Sequence, residues 1–336
     1  MADVTDAAPH RVTVVGSDAS FEVAPGERIL SAARRAGTWL PFECGWGSCG
    51  TCKVTVLEGE TELLYDDAPS VDPRDARRKR VLACQSTATT DLSIRALHTS
   101  DEPSAERPVR DHVGRLVGRE DLGPDLARFR FRLGAVAAYR PGQHAIVDLG
   151  DGLRRCYSLA GLPGSEEVEL VAKRYLGRAG SERLFSLPLG RTVRLELPYG
   201  DMYLRDGDDP VVLVAGGTGI SAILALARHL AAGAGAGRQV SALYGAGTLE
   251  ELVCWDDLVE SVGRLADGRV HGSLLHPGPT WTGHSGFVTG ALAERLAGLT
   301  NAVFYVAGPP VMTEATVTLL TDNGIQLTHI HYDSFG

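Results

Sequence analysis

The sequence lacks the features that would place the protein in a membrane, outside the cell or on nucleic acid. No run of about 18 apolar residues occurs, so no membrane-spanning helix is predicted. The N-terminus, Met-Ala-Asp-Val-Thr-Asp, does not have the basic and then apolar pattern of a secretory signal, which favours the cytoplasm. The net charge of −9 argues against nucleic acid, which requires a basic face. We expect a cytoplasmic monomer with no membrane and no nucleic-acid partner.

Cysteine is scarce, with six residues in 336, yet three of the six lie within nine positions. Cys44, Cys49 and Cys52 have the spacing C-x4-C-x2-C, and Cys84 follows within Val-Leu-Ala-Cys-Gln. This is the plant-type spacing for a [2Fe–2S] cluster, in which each iron takes two thiolates. The interleaved glycines are Gly45, Gly47 and Gly50. They let the backbone approach the cluster and direct N–H groups to its sulfurs.

A zinc site, a disulfide framework and inert thiols fit these cysteines less well. A zinc site usually has two C-x2-C pairs, and the chain has one. A disulfide framework is typical of short secreted chains. Inert thiols rarely cluster in a glycine-rich loop. The remaining Cys156 and Cys254 are predicted to be small apolar residues.

The length of 336 residues suits two or three domains. The first predicted domain covers residues 1–98 and is a β-grasp-like plant-type ferredoxin unit. Its predicted elements are strands at 11–15, 20–24, 53–57 and 92–96 and a helix at 28–35. Residues 99–109 are polar and contain proline, which is typical of a linker.

The two remaining domains differ in their rhythm of elements. Residues 110–206 have short, turn-bounded strands and predict an antiparallel β-barrel, whereas residues 207–336 alternate strands and helices and predict a doubly wound parallel sheet. In the barrel, strands are predicted at 127–133, 144–149, 167–173 and 192–197 and a helix at 182–187. In the last domain, strands are predicted at 211–215, 240–244, 271–275 and 302–306 and helices at 223–230, 249–265, 290–299 and 311–323. The fold class is therefore multidomain, α+β and α/β.

Two glycine-rich turns in the last domain predict a dinucleotide site. Gly217-x-Gly219-x-x-Ala222 follows a predicted strand and opens a helix, where backbone N–H groups bind a pyrophosphate. A tight strand–helix turn without a ligand is the alternative. A second turn, from Ala307 to Met312, lies between a late strand and a helix and so faces the same crevice.

The barrel carries a second set of polar residues at unusual positions. Arg155-x-Tyr157-Ser158 offers a guanidinium, an aromatic face and a hydroxyl, which suits a flavin and its pyrophosphate. Gly177 and Ser181 form a second phosphate-facing turn before a helix. Lone cations such as Lys173 are also common on ordinary surface strands.

These motifs, in this order, resemble the ferredoxin–NAD(P)H reductase-like electron-transfer components of bacterial oxygenases over nearly the whole chain. The stretch 155–163 and the ending His329-Ile-His-Tyr-Asp-Ser-Phe335 look most like the naphthalene dioxygenase reductase group. The resemblance implies FAD in the barrel and NADH in the last domain. The cofactor-binding residues so implied, with those above, are Arg155, Tyr157, Ser158, Leu159, Lys173, Gly177, Gly180, Ser181, Gly216, Gly217, Thr218, Gly219, Tyr244, Gly245, Gly308, Pro309, Met312 and Phe335, and the metal ligands are Cys44, Cys49, Cys52 and Cys84.

The resemblance implies an NADH-dependent reductase that passes electrons through FAD and the cluster to a Rieske-type aromatic-ring oxygenase, directly or through a ferredoxin. A reductase of a soluble di-iron monooxygenase or of a deoxysugar dehydratase is the enzymatic alternative. A [2Fe–2S] redox sensor is the alternative without catalysis. No side chain is expected to act as a general acid or base in the hydride step.

The chain departs from the family pattern at three positions. Arg178 stands where a glycine of the flavin phosphate turn is usual, and Ala307 where many members have cysteine. Gly247 stands where many have arginine, so this position offers no cation for a 2′-phosphate, and only a distant cation such as Arg194 would supply one. With Glu250 and Glu251 close by, this favours NADH over NADPH.

Three further features have two interpretations each. The run Arg74, Arg77, Arg78, Lys79, Arg80 is either a solvated face or a docking patch beside the cluster. His329 and His331 are placed on one face of a strand, with a structural role favoured over a metal pair. Trp46 either shields the cluster or contacts a partner.

Overall fold

The computed structural model describes residues 8–42, 45, 47, 50–64, 73–97, 107, 109–151 and 153–334. The chain divides into two compact units. The first contains residues 1–111 and 150–156, and the second contains residues 112–149 and 157–336. Among the described residues, none of the helices has the length and apolar character needed to cross a membrane.

The first unit is built on a mixed five-stranded sheet. Its elements are β1 (His10–Val14), β2 (Ser20–Val23), α1 (Ile29–Arg35), β3 (Lys53–Glu58), β4 (Thr61–Leu63), α2 (Pro73–Arg77), β5 (Arg80–Leu82), β6 (Ser86–Ala88) and β7 (Leu92–Ala96). The sheet order is β2-β1-β7-β3-β5, and β4 pairs with β6. Buried and exposed residues alternate along β1 and β2 because one face of the sheet packs on α1. The predicted strands at 11–15, 20–24, 53–57 and 92–96 and the helix at 28–35 are confirmed.

The next group of strands is antiparallel and closes on itself. Its elements are β8 (Arg110–Gly123), β9 (Leu126–Leu133), β10 (His144–Asp148), β11 (Arg154–Ser158), β12 (Glu167–Lys173), α3 (Ala179–Phe185) and β13 (Thr192–Tyr199). Strands β10, β13, β8, β9 and β12 lie side by side in that order. Leu159 donates its N–H to the carbonyl of Gln143, just before β10, and forms an antiparallel bridge with Leu170 of β12. The two edges meet at Leu159, as the predicted barrel requires.

The last group is a parallel sheet with helices on both faces. Its elements are β14 (Val211–Gly216), α4 (Ile220–His229), β15 (Val240–Ala246), α5 (Trp255–Gly263), β16 (Gly268–Leu274), β17 (His284–Ser285), α6 (Val288–Ala293), β18 (Val303–Gly308), α7 (Pro310–Asp322) and β19 (Ile330–Ser334). The order is β17-β16-β15-β14-β18-β19, and the successive pairs are parallel. All six residues of β14 are buried, which explains its continuous apolar sequence.

Two predicted helices are wrong in extent. The segment 249–265 is not one helix: a 3-10 turn covers Leu249–Glu251, and α5 begins only at Trp255, after Cys254 in the left-handed region with φ of 58°. A residue in this conformation ends any continuous helix. The segment predicted as a helix at 290–299 is α6, which begins two residues earlier and stops at Ala293.

Candidate functional site

Two of the four predicted cluster ligands come together in the first unit. Cys52 precedes β3, Cys84 follows β5, and both are buried. Their Sγ atoms are 3.2 Å apart, well beyond the bond length of about 2.05 Å in a disulfide. The two thiolates are thus close enough to bind the same iron. Cys44, Cys49 and Trp46 lie outside the described residues, so their roles stay predictions.

The backbone of the predicted cluster loop has the conformation that its glycines permit. Gly45, Gly47 and Gly50 have φ values of +70°, +104° and +78°. Residues with a side chain rarely adopt such positive φ values, so the loop depends on glycine at these positions. The backbone carbonyl of Cys52 also accepts the N–H of Ala83, which holds the two ligand-bearing segments side by side.

The predicted flavin motif lies on β11. Ser158, at its end, is buried, and its hydroxyl has no hydrogen-bond partner among the described residues. A buried hydroxyl without a partner is costly, so the position fits a polar atom of a bound flavin. The side chains of Arg155 and Tyr157 are half-buried on the same strand, and the Arg155 guanidinium donates to the carbonyl of Arg154 at 2.7 Å. Leu159 is fully buried and closes the barrel as described.

Ser221 of α4 holds the flavin strand in place, and the sequence interpretation missed it. Its hydroxyl donates to the carbonyl of Ser158 at 2.8 Å and accepts the N–H of Val171 at 3.3 Å. One side chain of the nucleotide helix thus positions two barrel strands. The signal was a serine inside an otherwise apolar helix, where an internal hydrogen-bond partner is required.

The polar groups of the turn between β12 and α3 form hydrogen bonds with one another. Ser181 Oγ accepts the N–H of Tyr175 at 2.9 Å and lies 3.1 Å from the carbonyl oxygens of Tyr175 and Arg178. Gly177 has φ of +77°, and its N–H donates to Glu182 Oε1 at 3.0 Å. The turn therefore offers an N–H group to an anion, here a carboxylate of the chain. Gly180 is buried within α3 and allows close packing there.

Lys173 meets a carboxylate from the nucleotide domain. Its Nζ lies 2.6 Å from Glu251 Oε1, and the two residues are separated by 78 positions. Hydrogen bonding to Lys173 lowers the pKa of Glu251, and burial acts in the opposite direction. A Cβ atom on Gly247 would lie 2.3 Å from Glu251 Oε2, so this carboxylate covers the carboxyl end of β15. Gly247 itself offers no cation here, and the cation beside Glu251 is a distant one, Lys173 of the barrel.

The predicted nucleotide turn is formed where β14 ends. Gly216 ends the strand, Gly217 to Gly219 form a 3-10 turn, and α4 follows. Gly217 has φ of +51°, and a Cβ there would meet nothing within 4 Å, which leaves its surface open to a ligand. A Cβ on Gly219 would lie 2.0 Å from the carbonyl oxygen of Ala307. Open space beside one glycine and tight packing at the other fit a phosphate-binding turn.

Both glycine-rich turns lie at the same edge of the sheet. Gly216 is in register with Gly245, and Ala215 with Ala307, the residue before Gly308. Met312 of α7 fills the space beside the first turn, since a Cβ on Gly216 would lie 2.2 Å from its Sδ. Pro309 is the residue before α7, and Thr218 is half-buried in the 3-10 turn. The predicted cofactor residues of this domain are therefore neighbours.

Tyr244 is placed in the core beneath this edge. It is fully buried, and burial raises the pKa of its phenol well above the usual value. Its hydroxyl lies 3.3 Å from the carbonyl of Gly217 and 3.5 Å from that of Glu251. Tyr244 thus supports the turn from below, and its cofactor contact stays a prediction.

The end of β19 approaches a buried histidine of the barrel. His144 is 1% exposed, and its Nδ1 lies 3.6 Å from Asp333 Oδ2. Neither of these two atoms has a hydrogen-bond partner among the described residues. Sequence reasoning missed this pair, which joins two strands 189 positions apart. The hydroxyl of the next residue, Ser334, forms a hydrogen bond with Thr313 Oγ1 at 3.3 Å. Phe335 lies outside the described residues.

The placement of the two C-terminal histidines on one strand face is wrong. His329 ends the 3-10 helix Leu327–His329, and His331 lies on β19. The His331 ring packs on Tyr305 with centroids 5.2 Å apart, and burial lowers its pKa to about 4. This supports the structural role that the sequence favoured.

Family models match three successive parts of the chain. They describe a 2Fe-2S iron-sulfur cluster binding domain at residues 12–89, an oxidoreductase FAD-binding domain at residues 114–203 and an oxidoreductase NAD-binding domain at residues 213–318. The three predicted cofactor classes are thereby confirmed.

Several proteins are similar over nearly their whole length. The ferredoxin–NAD(+) reductase component of the alkene monooxygenase system of Xanthobacter autotrophicus (strain ATCC BAA-1158 / Py2) is 35% identical over 324 residues, which covers 94% of this chain and 98% of that protein. The reductase component of the naphthalene 1,2-dioxygenase/salicylate 5-hydroxylase systems of Ralstonia sp is 31% identical, with 92% and 94% covered. The solved ferredoxin reductase in carbazole 1,9a-dioxygenase superposes with a TM-score of 0.89 at 28% identity, covering 98% and 99%.

Proposed function

The chain belongs to the ferredoxin–NAD(P)⁺ reductase components of oxygenase systems, and we propose that it oxidises NADH and delivers single electrons to an oxygenase component or its ferredoxin. A flavin bound by the barrel would supply the conversion of the electron pair of a hydride into single electrons, which matches the one-electron capacity of a [2Fe–2S] cluster. The observation that carries the proposal is the joint presence of the Cys52–Cys84 pair, the buried Ser158 hydroxyl and the open Gly217 turn. A redox sensor would not need the latter two.

The residues of this chain would hold and orient the cofactors. Cys44, Cys49, Cys52 and Cys84 would bind the irons. Ser158, with Arg155 and Tyr157, would hold the flavin, and Ser221 keeps that strand in position. The turn at Gly217 would take the pyrophosphate of NADH. We propose domain limits of 1–98, 110–206 and 207–336, which enclose the ranges of the three family models.

We propose a Rieske-type aromatic-ring oxygenase as the final acceptor, in the cytoplasm where NADH is available. The similarity to the naphthalene dioxygenase reductase component supports it. A monooxygenase is the second candidate, favoured by the 35% identity to the alkene monooxygenase reductase component. Reconstitution with one purified oxygenase of each kind, with and without a ferredoxin, distinguishes them by NADH-dependent product formation. The predicted monomeric state is tested by sedimentation velocity.

The order of electron flow is tested by removing one cluster ligand. Cys52→Ala should abolish the visible absorption of the cluster and keep that of the flavin. NADH oxidation with ferricyanide, which accepts electrons from flavin, should persist, and reduction of the oxygenase partner should fall sharply. Cys254→Ala, which removes a thiol outside both the predicted ligands and the flavin strand, is the control. Loss of FAD and of ferricyanide activity in Cys52→Ala would contradict separate domains for cluster and flavin.

A further inference from the structure

Positive charge is concentrated on the surface of the cluster-bearing unit. Helix α2 and the turn after it expose Arg74, Arg77, Arg78 and Lys79, which we call the basic patch. Four exposed cations lie within six positions, although the chain as a whole has a net charge of −9. A solvated face needs no such concentration of one sign.

A buried carboxylate orients the basic patch. Asp75, in the middle of α2, is 5% exposed. Its Oδ2 lies 2.6 Å from Lys53 Nζ and its Oδ1 lies 3.4 Å from Arg80 Nη1. The one acidic side chain of α2 is thus turned inward and neutralised by these two cations. In the described part of the chain, Arg77, Arg78 and Lys79 form no ion pair, so their charges face solvent.

The same contacts fix the basic patch beside the cluster ligands. Lys53, which binds Asp75, directly follows Cys52. The Lys79 carbonyl accepts the N–H of Val56 at 2.8 Å, which ties the turn to β3. Lys79 is also five residues before Cys84, so their Cα atoms are at most about 18 Å apart. An acceptor protein that covered the basic patch would therefore lie beside the segments that carry Cys52 and Cys84.

We propose that the basic patch is the docking surface for the protein that accepts electrons from the cluster, and that this acceptor presents an acidic face. The proposal rests on the proposed function, because it assumes that electrons leave through the cluster. Charge of opposite sign accelerates the encounter of two proteins and aligns them, and the effect is screened by salt. The chemistry selects an acidic one-electron carrier protein as the partner.

The test compares two variants with the same change in net charge. Arg77→Glu/Arg78→Glu reverses the centre of the basic patch. Arg11→Glu/Arg95→Glu reverses two exposed arginines on β1 and β7, which β3 separates from β5 in the sheet order. The full-length proteins, reduced by NADH, are mixed with acidic cytochrome b5 or with basic cytochrome c, and the second-order rate of haem reduction is measured at low and high ionic strength.

The proposal requires opposite effects on the two acceptors. At low ionic strength the patch variant should reduce cytochrome b5 about tenfold more slowly and cytochrome c faster than the parent protein, and these differences should vanish near 1 M salt, where the screening length is about 3 Å. The control variant should change neither rate by more than about twofold. Equal effects of the two variants, or no reduction of cytochrome b5 by the parent protein, would overturn the proposal.

Folding and the proposed function are monitored separately. Cluster absorption and NADH–ferricyanide activity should be the same in all three proteins. Absence of that activity in the parent protein would reject the proposed function, whereas normal activity with equal cytochrome rates rejects only the docking surface. If the glutamate pair loses the cluster, Arg77→Gln/Arg78→Gln and Arg11→Gln/Arg95→Gln provide the same comparison with half the charge change.

Discussion

Gly219→Ala should separate the two glycine-rich turns of the nucleotide domain. A Cβ at this position would lie 2.0 Å from the Ala307 carbonyl oxygen, 2.4 Å from its carbon and 2.8 Å from the Gly308 nitrogen. These are backbone atoms of β18, which is hydrogen-bonded to β14 on one side and β19 on the other. No side chain can rotate away, so the turn before α4 must move instead.

The loss of stability in Gly219→Ala can be estimated from the known cost of adding a methyl group to a tightly packed position. Adding a methyl group to a tightly packed position typically costs about 1–3 kcal/mol, and a backbone clash belongs at the upper end of that range. We therefore expect a loss of about 3 kcal/mol from the stability of the nucleotide domain. The displaced turn should raise the KM for NADH at least tenfold, because about 1.4 kcal/mol of lost binding is a factor of ten. FAD content should be retained, since Ser221 meets the flavin strand without involving Ala307.

Two other glycines provide matched controls for the same chemical change. Gly217→Ala meets nothing within 4 Å but has φ of +51°, so it should cost only the strain of about 1 kcal/mol. Gly263→Ala, at the end of α5, also meets nothing and should be neutral or slightly stabilising. Thermal unfolding, FAD content and NADH kinetics are measured for all three. A Gly219→Ala protein with the melting temperature and KM of Gly263→Ala would refute the close approach of β14 and β18.

Three further perturbations test other parts of the structure. Ser158→Ala should weaken FAD binding about five- to tenfold, measured by flavin fluorescence, because one hydrogen bond is worth about 1 kcal/mol. Glu251→Gln should raise the ratio of kcat/KM for NADPH to that for NADH about tenfold, because it removes a negative charge and releases Lys173; an unchanged ratio would exclude Glu251 from nucleotide choice. The pKa of His331 is lowered to about 4 by burial, so its neutral form contributes stability that is complete above pH 6.5 and lost as the pH falls toward 4. His331→Phe should remove that loss, seen as a smaller decrease in urea midpoint between pH 7 and pH 4.

Local sequence patterns predicted those features that depend on local physics. β14 was recognisable because a strand buried on both faces needs an unbroken apolar sequence. The cluster loop was recognisable because ligand spacing and glycine both follow from the geometry of the cluster. The helix at 249–265 was predicted wrongly because its apolar periodicity continues across Cys254, whose left-handed conformation has no signal in the residue type. Local pattern alone also misplaced His329 on the last strand.

The contacts between distant segments could not be predicted, because local patterns contain no information about which distant residues meet. Lys173 and Glu251 are separated by 78 positions, and either residue alone resembles an ordinary surface charge. Only the fold brings them within 2.6 Å. His144 and Asp333, which are 189 positions apart in the sequence, are likewise brought together by the fold. Such pairs determine which charges lie together in the folded protein, and no local pattern in the sequence reveals them.

Helix α4 connects the nucleotide turn to the flavin strands. Its first turn follows the open Gly217, while Ser221 and Arg228, seven residues apart and hence on one face, bond to the barrel. Ser221 donates to the Ser158 carbonyl, and Arg228 Nη1 donates to the Ala160 carbonyl and to Glu169 Oε1, both at 2.9 Å. Hydride transfer requires the donor and acceptor rings to be held at a fixed separation and orientation. Because α4 carries both the bonds that position the flavin strands and, at its start, the turn that would hold NADH, a movement of the whole helix relative to the barrel would have to break these hydrogen bonds.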